Sequence, residues 1–270
     1  MDILKYTEEH RIFREALQKF LEKEITPHVE EWEEAGIVPK DIWKKMGEQG
    51  FLCMDVPEEY GGLGADFLYS VIMIEEMART NHTGLAASLH SDIIVPYITA
   101  FGSSELKKKY LPGCISGEII TAIAMTEPNA SSDLAAIRTH FVEDKDSYVI
   151  NGQKTFISNG LNCNLLVLAA RDPKAEAAHA ALSLFLVPAD TPGFEKGKKI
   201  KKSAGTARTR RNSILPTAAS LKDHILGQKG MGFYMLMEKL QQERLACAIG
   251  AVAGAEYMLE ITLPYVKERK

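Results

Sequence analysis

Apolar residues recur at helical spacing from residue 8 to residue 30, where Ile12, Phe13, Leu17, Phe20 and Leu21 share one face and charges the other. Shorter amphipathic helices are predicted over 40–49 and 67–80. Residues 83–101 are apolar nearly all round, the pattern of a helix buried in a bundle. A charged helix follows, N-capped by Ser103 or Ser104, with Lys107, Lys108 and Lys109 toward its end. After about Gly117 the texture changes to short β-type runs at 119–125, 147–150, 154–158, 165–169 and 182–187, with Asn151-Gly152 as a hairpin turn. From Gly232 to Lys270 helical spacing returns, with Ala246, Gly250, Ala253 and Gly254 along one face, where another helix can approach closely. The expected fold class is α+β: an all-helical N-terminal domain over 1–118, a middle β domain over 119–230, and the start of a C-terminal helical domain over 231–270.

Composition narrows the function more than the fold. At 270 residues and 46% hydrophobic, the chain can bury sizeable cores, and a net charge of −4 argues against a general nucleic-acid role. No uncharged apolar run reaches the length of a membrane span. Met1-Asp2-Ile3-Leu4 has neither the basic and apolar regions of a signal peptide nor an Arg-rich transit pattern, so the expected location is a bacterial-type cytoplasm, or the mitochondrial matrix in a eukaryote. Cys53, Cys114, Cys163 and Cys247 lie far apart, which predicts neither disulfide scaffold nor metal site.

Three stretches carry candidate chemistry. Pro57-Glu58-Glu59-Tyr60-Gly61-Gly62-Leu63-Gly64 is a glycine-rich loop that also suits a plain surface turn. In Ile123-Ala124-Met125-Thr126-Glu127-Pro128-Asn129-Ala130-Ser131-Ser132-Asp133-Leu134, a strand delivers a threonine into a small-residue turn. Its hydroxyls and N–H groups can hold a phosphate or a flavin's polar edge; an ordinary Asx- or ST-turn is the alternative. In the stretch from Asn151 to Gly160, Phe156 and Ser158 stand two apart on one strand face, an aromatic platform beside a hydrogen-bond donor. Taken alone, such a pair is more often ordinary half-buried strand.

Together PEEYGGLG, AMTEPNASSDL, NGQKTFISNG, LGQKGMGF and LQQERLACAIGAVAGAEYMLEITLPYVKERK, in this order, resemble the acyl-CoA dehydrogenase family over essentially the whole chain. The resemblance implies an N-terminal helical domain, a central β domain and a C-terminal four-helix bundle, of which this sequence holds the first helix. It also implies FAD and acyl-CoA as cofactor and substrate, an electron-transfer flavoprotein as electron acceptor, and a homotetramer. By the same resemblance, Met125, Thr126, Ser131, Ser132, Phe156 and Ser158 bind the flavin, Ser132 and Arg244 lie on the substrate path, and no metal is needed. The implied reaction is α,β-dehydrogenation of an acyl-CoA in fatty-acid β-oxidation. It needs a carboxylate to take the α-proton beside the thioester. Some branches carry that glutamate in an E-R-L sequence on the first bundle helix, which here assigns Glu243.

Small residues Gly84, Ala86 and Ala87 before the buried helix leave room for a medium or long acyl tail, whereas Pro264 resembles the isovaleryl branch. The sequence departs from the family in two places. Asn129 and Ser131 stand where the family's turn has glycines; if those positions need positive φ, Asn tolerates it and Ser less so. Residues 203–220 match nothing in the family, although both flanks do. Codons for Arg208 to Ser213, read one base earlier, can encode Q-D-T-A-E-L, close to the family's D-T-x-E-L; compensating frame shifts across 203–221 are the expectation, and the gene's nucleotide sequence decides it. As written, this polar segment predicts a poorly formed strand, and a non-catalytic acyl-CoA-binding remnant is the alternative function.

Overall fold

The computed structural model describes residues 4–199 and 210–269. Its helical part comprises α1 (Glu8–Glu24), α2 (Val29–Ala35), α3 (Lys40–Glu48), α4 (Phe67–Arg79), α5 (Val95–Phe101) and α6 (Ser104–Ile115). The single helix expected over 8–30 is two. Pro27 sits in a tight turn at Thr26–His28 and cannot donate to the ladder, so the chain restarts as α2. The expected long helix over 83–101 is likewise divided. Leu89–Ile94 is a wide-turn π-helix that leads into α5 at Pro96. Ser103 is the N-cap of α6, its hydroxyl accepting from the Leu106 N–H; the helix continues to Ile115, so the three lysines lie within it.

Eight strands form one sheet: β1 (Thr121–Ala124), β2 (His140–Asp144), β3 (Ser147–Ser158), β4 (Leu165–Arg171), β5 (Leu182–Pro188), β6 (Glu195–Lys199), β7 (Arg210–Leu221) and β8 (Ile225–Leu226). The order is β6-β7-β3-β2-β4-β5-β8, with β1 pairing parallel to β4. On β4 the alternation of a strand buried on both faces is visible: Leu165, Val167 and Ala169 join the helical core, while Leu166, Leu168 and Ala170 join Phe141, Tyr148 and Phe185 on the other face.

Asn151-Gly152 is not a hairpin turn. It lies inside the continuous strand β3, where the register against β7 shifts between Ile150 and Gly152. A Cβ on Gly152 would stand 2.6 Å from Thr139 Cα, so glycine is required by the close approach of the chain leading into β2. Of the divergent segment, residues 203–209 lie outside the described residues, while Arg210–Leu221 pairs as β7 between β3 and β6. The backbone there takes the strand that its polar pattern did not predict.

The chain closes with α7 (Gly232–Glu268), 37 residues long. Contrary to the sequence expectation, it is long and apolar enough to cross a membrane by length and composition, with mean hydropathy 1.4 over an 18-residue window. Here its polar residues tie it to the helical part. Gln242 donates to the Asp92 carbonyl at 3.0 Å, and Glu260 pairs with Arg79 at 2.5 Å. Val252, Met258, Leu259, Leu263, Tyr265 and Val266 remain exposed along it.

Candidate active site

The end of β1 and the middle of β3 meet. Thr155 donates its N–H to the Thr126 carbonyl at 2.8 Å, which brings Met125 and Thr126 beside Phe156 and Ser158. Beneath this junction Lys154, fully buried, donates to the Met125 carbonyl and to Glu127 Oε1, both at 2.9 Å. The buried Glu127 carboxylate also accepts from the Arg138 N–H at 2.7 Å and the Thr139 N–H at 2.9 Å. Burial pulls the Lys154 ammonium down to about 8, with Glu127 opposing. Burial pushes Glu127 the other way, but Lys154 and the two N–H donors hold it below the usual carboxylate range.

Phe156 has φ +59, a left-handed conformation that costs a bulky residue about 1–2 kcal/mol. It sits where the register of β3 against β7 shifts a second time, between Lys154 and Ile157. A bulge of this kind re-aims a side chain, and the ring is 57% exposed. Ser158 is half-buried two residues on, and Ser131 and Ser132 are exposed after the turn. Neither Asn129 nor Ser131 has positive φ, so replacing glycine there introduces no left-handed strain.

The second half of the site lies on α7. Glu243 is half-buried and accepts the Tyr97 O–H of α5 at 2.6 Å. Burial raises the Glu243 carboxyl above its ordinary value, and the Tyr97 hydroxyl pulls it partly back. One turn onward, Ala246, Cys247 and Gly250 line a cavity of about 350 Å³ walled by Ile74, Met77 and Leu89 among others. Glu243 does not itself line the cavity; it stands three, four and seven positions before Ala246, Cys247 and Gly250, on the same face of α7. Exposed Arg244 does not line that cavity.

One segment joins the two halves. His90, on the π-helix, accepts the Thr121 N–H at 3.1 Å at the start of β1. Asp92 receives Gln242 on its carbonyl, and Tyr97 reaches Glu243. Residues 89–101 therefore bridge the aromatic platform and the carboxylate.

Comparison with known proteins identifies the family. Residues 7–118 match the acyl-CoA dehydrogenase N-terminal domain and residues 122–214 the acyl-CoA dehydrogenase middle domain. A solved acyl-CoA dehydrogenase from Geobacillus kaustophilus superposes with TM-score 0.96 at 50% identity, covering 98% of this chain and 70% of that one. The chain belongs to the acyl-CoA dehydrogenase family. It is 34% identical to an acyl-CoA dehydrogenase of Bacillus subtilis, covering 97% of this chain and 69% of that protein. It is 42% identical to the mitochondrial long-chain specific acyl-CoA dehydrogenase of Sus scrofa, covering 98% of this chain; the chain spans only 62% of that relative's length.

Acyl-CoA dehydrogenases are FAD-dependent. The residues present fit such a group: an exposed aromatic side chain at the bulge of β3, a turn after β1 whose Met125 carbonyl is clamped by Lys154, and the exposed Ser131 and Ser132 beyond that turn. Three members of this arrangement escaped the sequence reading. Lys154 and Glu127 lay inside the quoted motifs, and a lysine and a glutamate flanking apolar strand positions were their signal. Tyr97 and Thr99 are the two hydroxyls in an otherwise apolar helix, and nothing local in the sequence marks the partner of Tyr97.

Proposed function

We propose that the protein containing this chain catalyses FAD-dependent α,β-dehydrogenation of acyl-CoA thioesters to trans-2-enoyl-CoA, with Glu243 as the base. The supporting observation is Glu243 itself, a half-buried carboxylate aimed by Tyr97 and standing on the face of α7 that lines an apolar cavity. A carboxylate withdrawn from water is a stronger base toward the weakly acidic α-proton of a thioester. Met125 and Thr126 stand against the flavin ring and Phe156 and Ser158 along its other side, with Ser131 and Ser132 at its polar edge and Ser132 also on the CoA path. FAD, when bound, supplies the acceptor for the β-hydride. Arg244, exposed beside the base, is assigned to the CoA side of the site.

A cavity of about 350 Å³ has room for roughly a dozen groups of water or methylene size, which favours straight medium or long tails over short ones. An electron-transfer flavoprotein is the expected acceptor, and a homotetramer the expected assembly. The test is anaerobic addition of acyl-CoAs of increasing length to the FAD-loaded protein. Flavin absorbance bleaches with medium and long chains, and Glu243→Gln stops turnover while flavin stays bound. Wild-type-like turnover in that variant removes Glu243 from the mechanism.

A further inference from the structure

Tyr97 is fully buried on α5, yet its hydroxyl has one partner among the described residues, the Glu243 carboxylate at 2.6 Å. We propose that Tyr97 is a positioning residue that fixes both the direction and the charge of Glu243. The proposal rests on the reading of Glu243 as the base.

An O–H donated to a carboxylate lowers the energy of the anion and does nothing comparable for the neutral acid. In a half-buried place, where loss of water favours the neutral acid, that single donor shifts the balance back toward the anion. Its direction follows from the same contact. α5 is anchored behind the π-helix, which is tied to β1 through His90 and to α7 through Gln242, so the hydroxyl is a fixed reference point.

Other charged groups near α7 are occupied elsewhere. Asp92, on the π-helix, accepts from Ser70 at 2.6 Å on one oxygen, and burial pushes its carboxyl up to about 6; His82, on the cavity wall facing α7, is held below its ordinary value by burial. Lys239, one turn before Glu243, faces the Phe101 ring and acts on Asp55. On α4, Glu75 and Glu76 are held by Arg14, and Arg79 pairs with Glu260. Arg244 is exposed. Burial and Tyr97 are the influences that set Glu243.

The test is Tyr97→Phe, which removes one oxygen and keeps the ring. A charge-assisted hydrogen bond of about 1.5–3 kcal/mol corresponds to a rise of about one to two pH units in the Glu243 carboxyl. The acidic limb of the kcat/KM profile then moves up by that amount, a loss of about ten- to a hundred-fold on the limb itself, and the high-pH plateau falls by a smaller factor as the carboxylate loses its fixed direction. A second readout needs no turnover: the infrared carboxyl band that disappears in Glu243→Gln titrates at correspondingly higher pH in Tyr97→Phe. An unmoved band and limb overturn the proposal, and so does a uniform loss at every pH, which marks a structural role. If Glu243→Gln retains turnover, the base reading falls by itself, and the carboxyl band still decides whether Tyr97 holds the charge.

Discussion

Lys154 and Glu127 are expected to be unequal partners. The perturbation is to neutralise each in turn, as Glu127→Gln and Lys154→Met. Removing one member of a buried pair generally costs about 3–5 kcal/mol because the other is left uncompensated. Each stranded group has an escape, which is to neutralise itself. At pH 7, deprotonating a lysine of ordinary value 10.5 costs about 5 kcal/mol, so that is the ceiling for Glu127→Gln. Protonating a glutamate of ordinary value 4.5 costs about 3 kcal/mol, the lower ceiling for Lys154→Met. The stranded Glu127 also keeps two backbone N–H donors, whereas the stranded Lys154 keeps only the Met125 carbonyl and an amide that must turn its own NH2 away. Glu127→Gln is therefore the more damaging change.

The pH dependence has opposite signs in the two variants. In Glu127→Gln the folded lysine titrates below its unfolded value of 10.5, so the unfolded chain binds more protons and stability recovers as pH rises toward that value. In Lys154→Met the folded glutamate titrates above its unfolded value of 4.5, so stability recovers as pH falls toward it. Chemical denaturation of both variants at about pH 5, 7 and 9 measures this, and the double variant, with no stranded charge, recovers much of the loss. Because the pair clamps the Met125 carbonyl, flavin affinity falls in parallel. Variants within about 1 kcal/mol of wild type, or sharing the same pH slope, refute the reasoning.

Three further changes probe separate parts of the site. A Cβ on Gly250 would lie 3.4 Å from Ile74 Cγ2, so Gly250→Leu drives a side chain into the cavity; kcat/KM is expected to fall about tenfold or more for long acyl chains and little for short ones, read from a chain-length series. Phe156→Gly removes the left-handed strain and leaves thermal stability unchanged or about 1 kcal/mol higher, while flavin affinity measured by fluorescence drops; a loss of stability would make the ring a core element instead. Gly152→Ala places a methyl against Thr139 and costs about 1–3 kcal/mol in a denaturation midpoint, whereas a hairpin turn at Asn151-Gly152 would tolerate alanine at a fraction of that.

Local rules served well where the element was local. The N-cap at Ser103, the start of α4 at Phe67 and the paired faces of β4 all follow from spacing and capping within a few residues. They failed where a distant segment decided the outcome. Asn151-Gly152 carries the strongest short-range hairpin signal, yet the glycine serves an approach by Thr139, which only tertiary packing reveals. The bulge that turns Phe156 outward depends on the register of β7, a strand of polar sequence more than fifty residues away. The helical pattern over 83–101 gives no notice that its first part winds wide.

These failures gather at the site, and for a common reason. Local preference and global fold agree wherever burial is the only demand, but a site needs an exposed aromatic ring, a buried charge pair and a desolvated carboxylate, each of which local preference opposes. Phe156 takes positive φ at the register shift against β7, Lys154 is held in the core by Glu127, and Glu243 accepts from Tyr97, so every one of them has a specific partner from another element. The partners converge on two pieces of chain: the turn after β1, and the bridge of residues 89–101. The bridge touches β1 through His90 and α7 through Asp92 and Tyr97, so it is one of the direct links between the two parts. Pro96, four residues after Asp92, has no N–H to offer the Asp92 carbonyl, and that carbonyl accepts from Gln242 instead, which ties the bridge to α7.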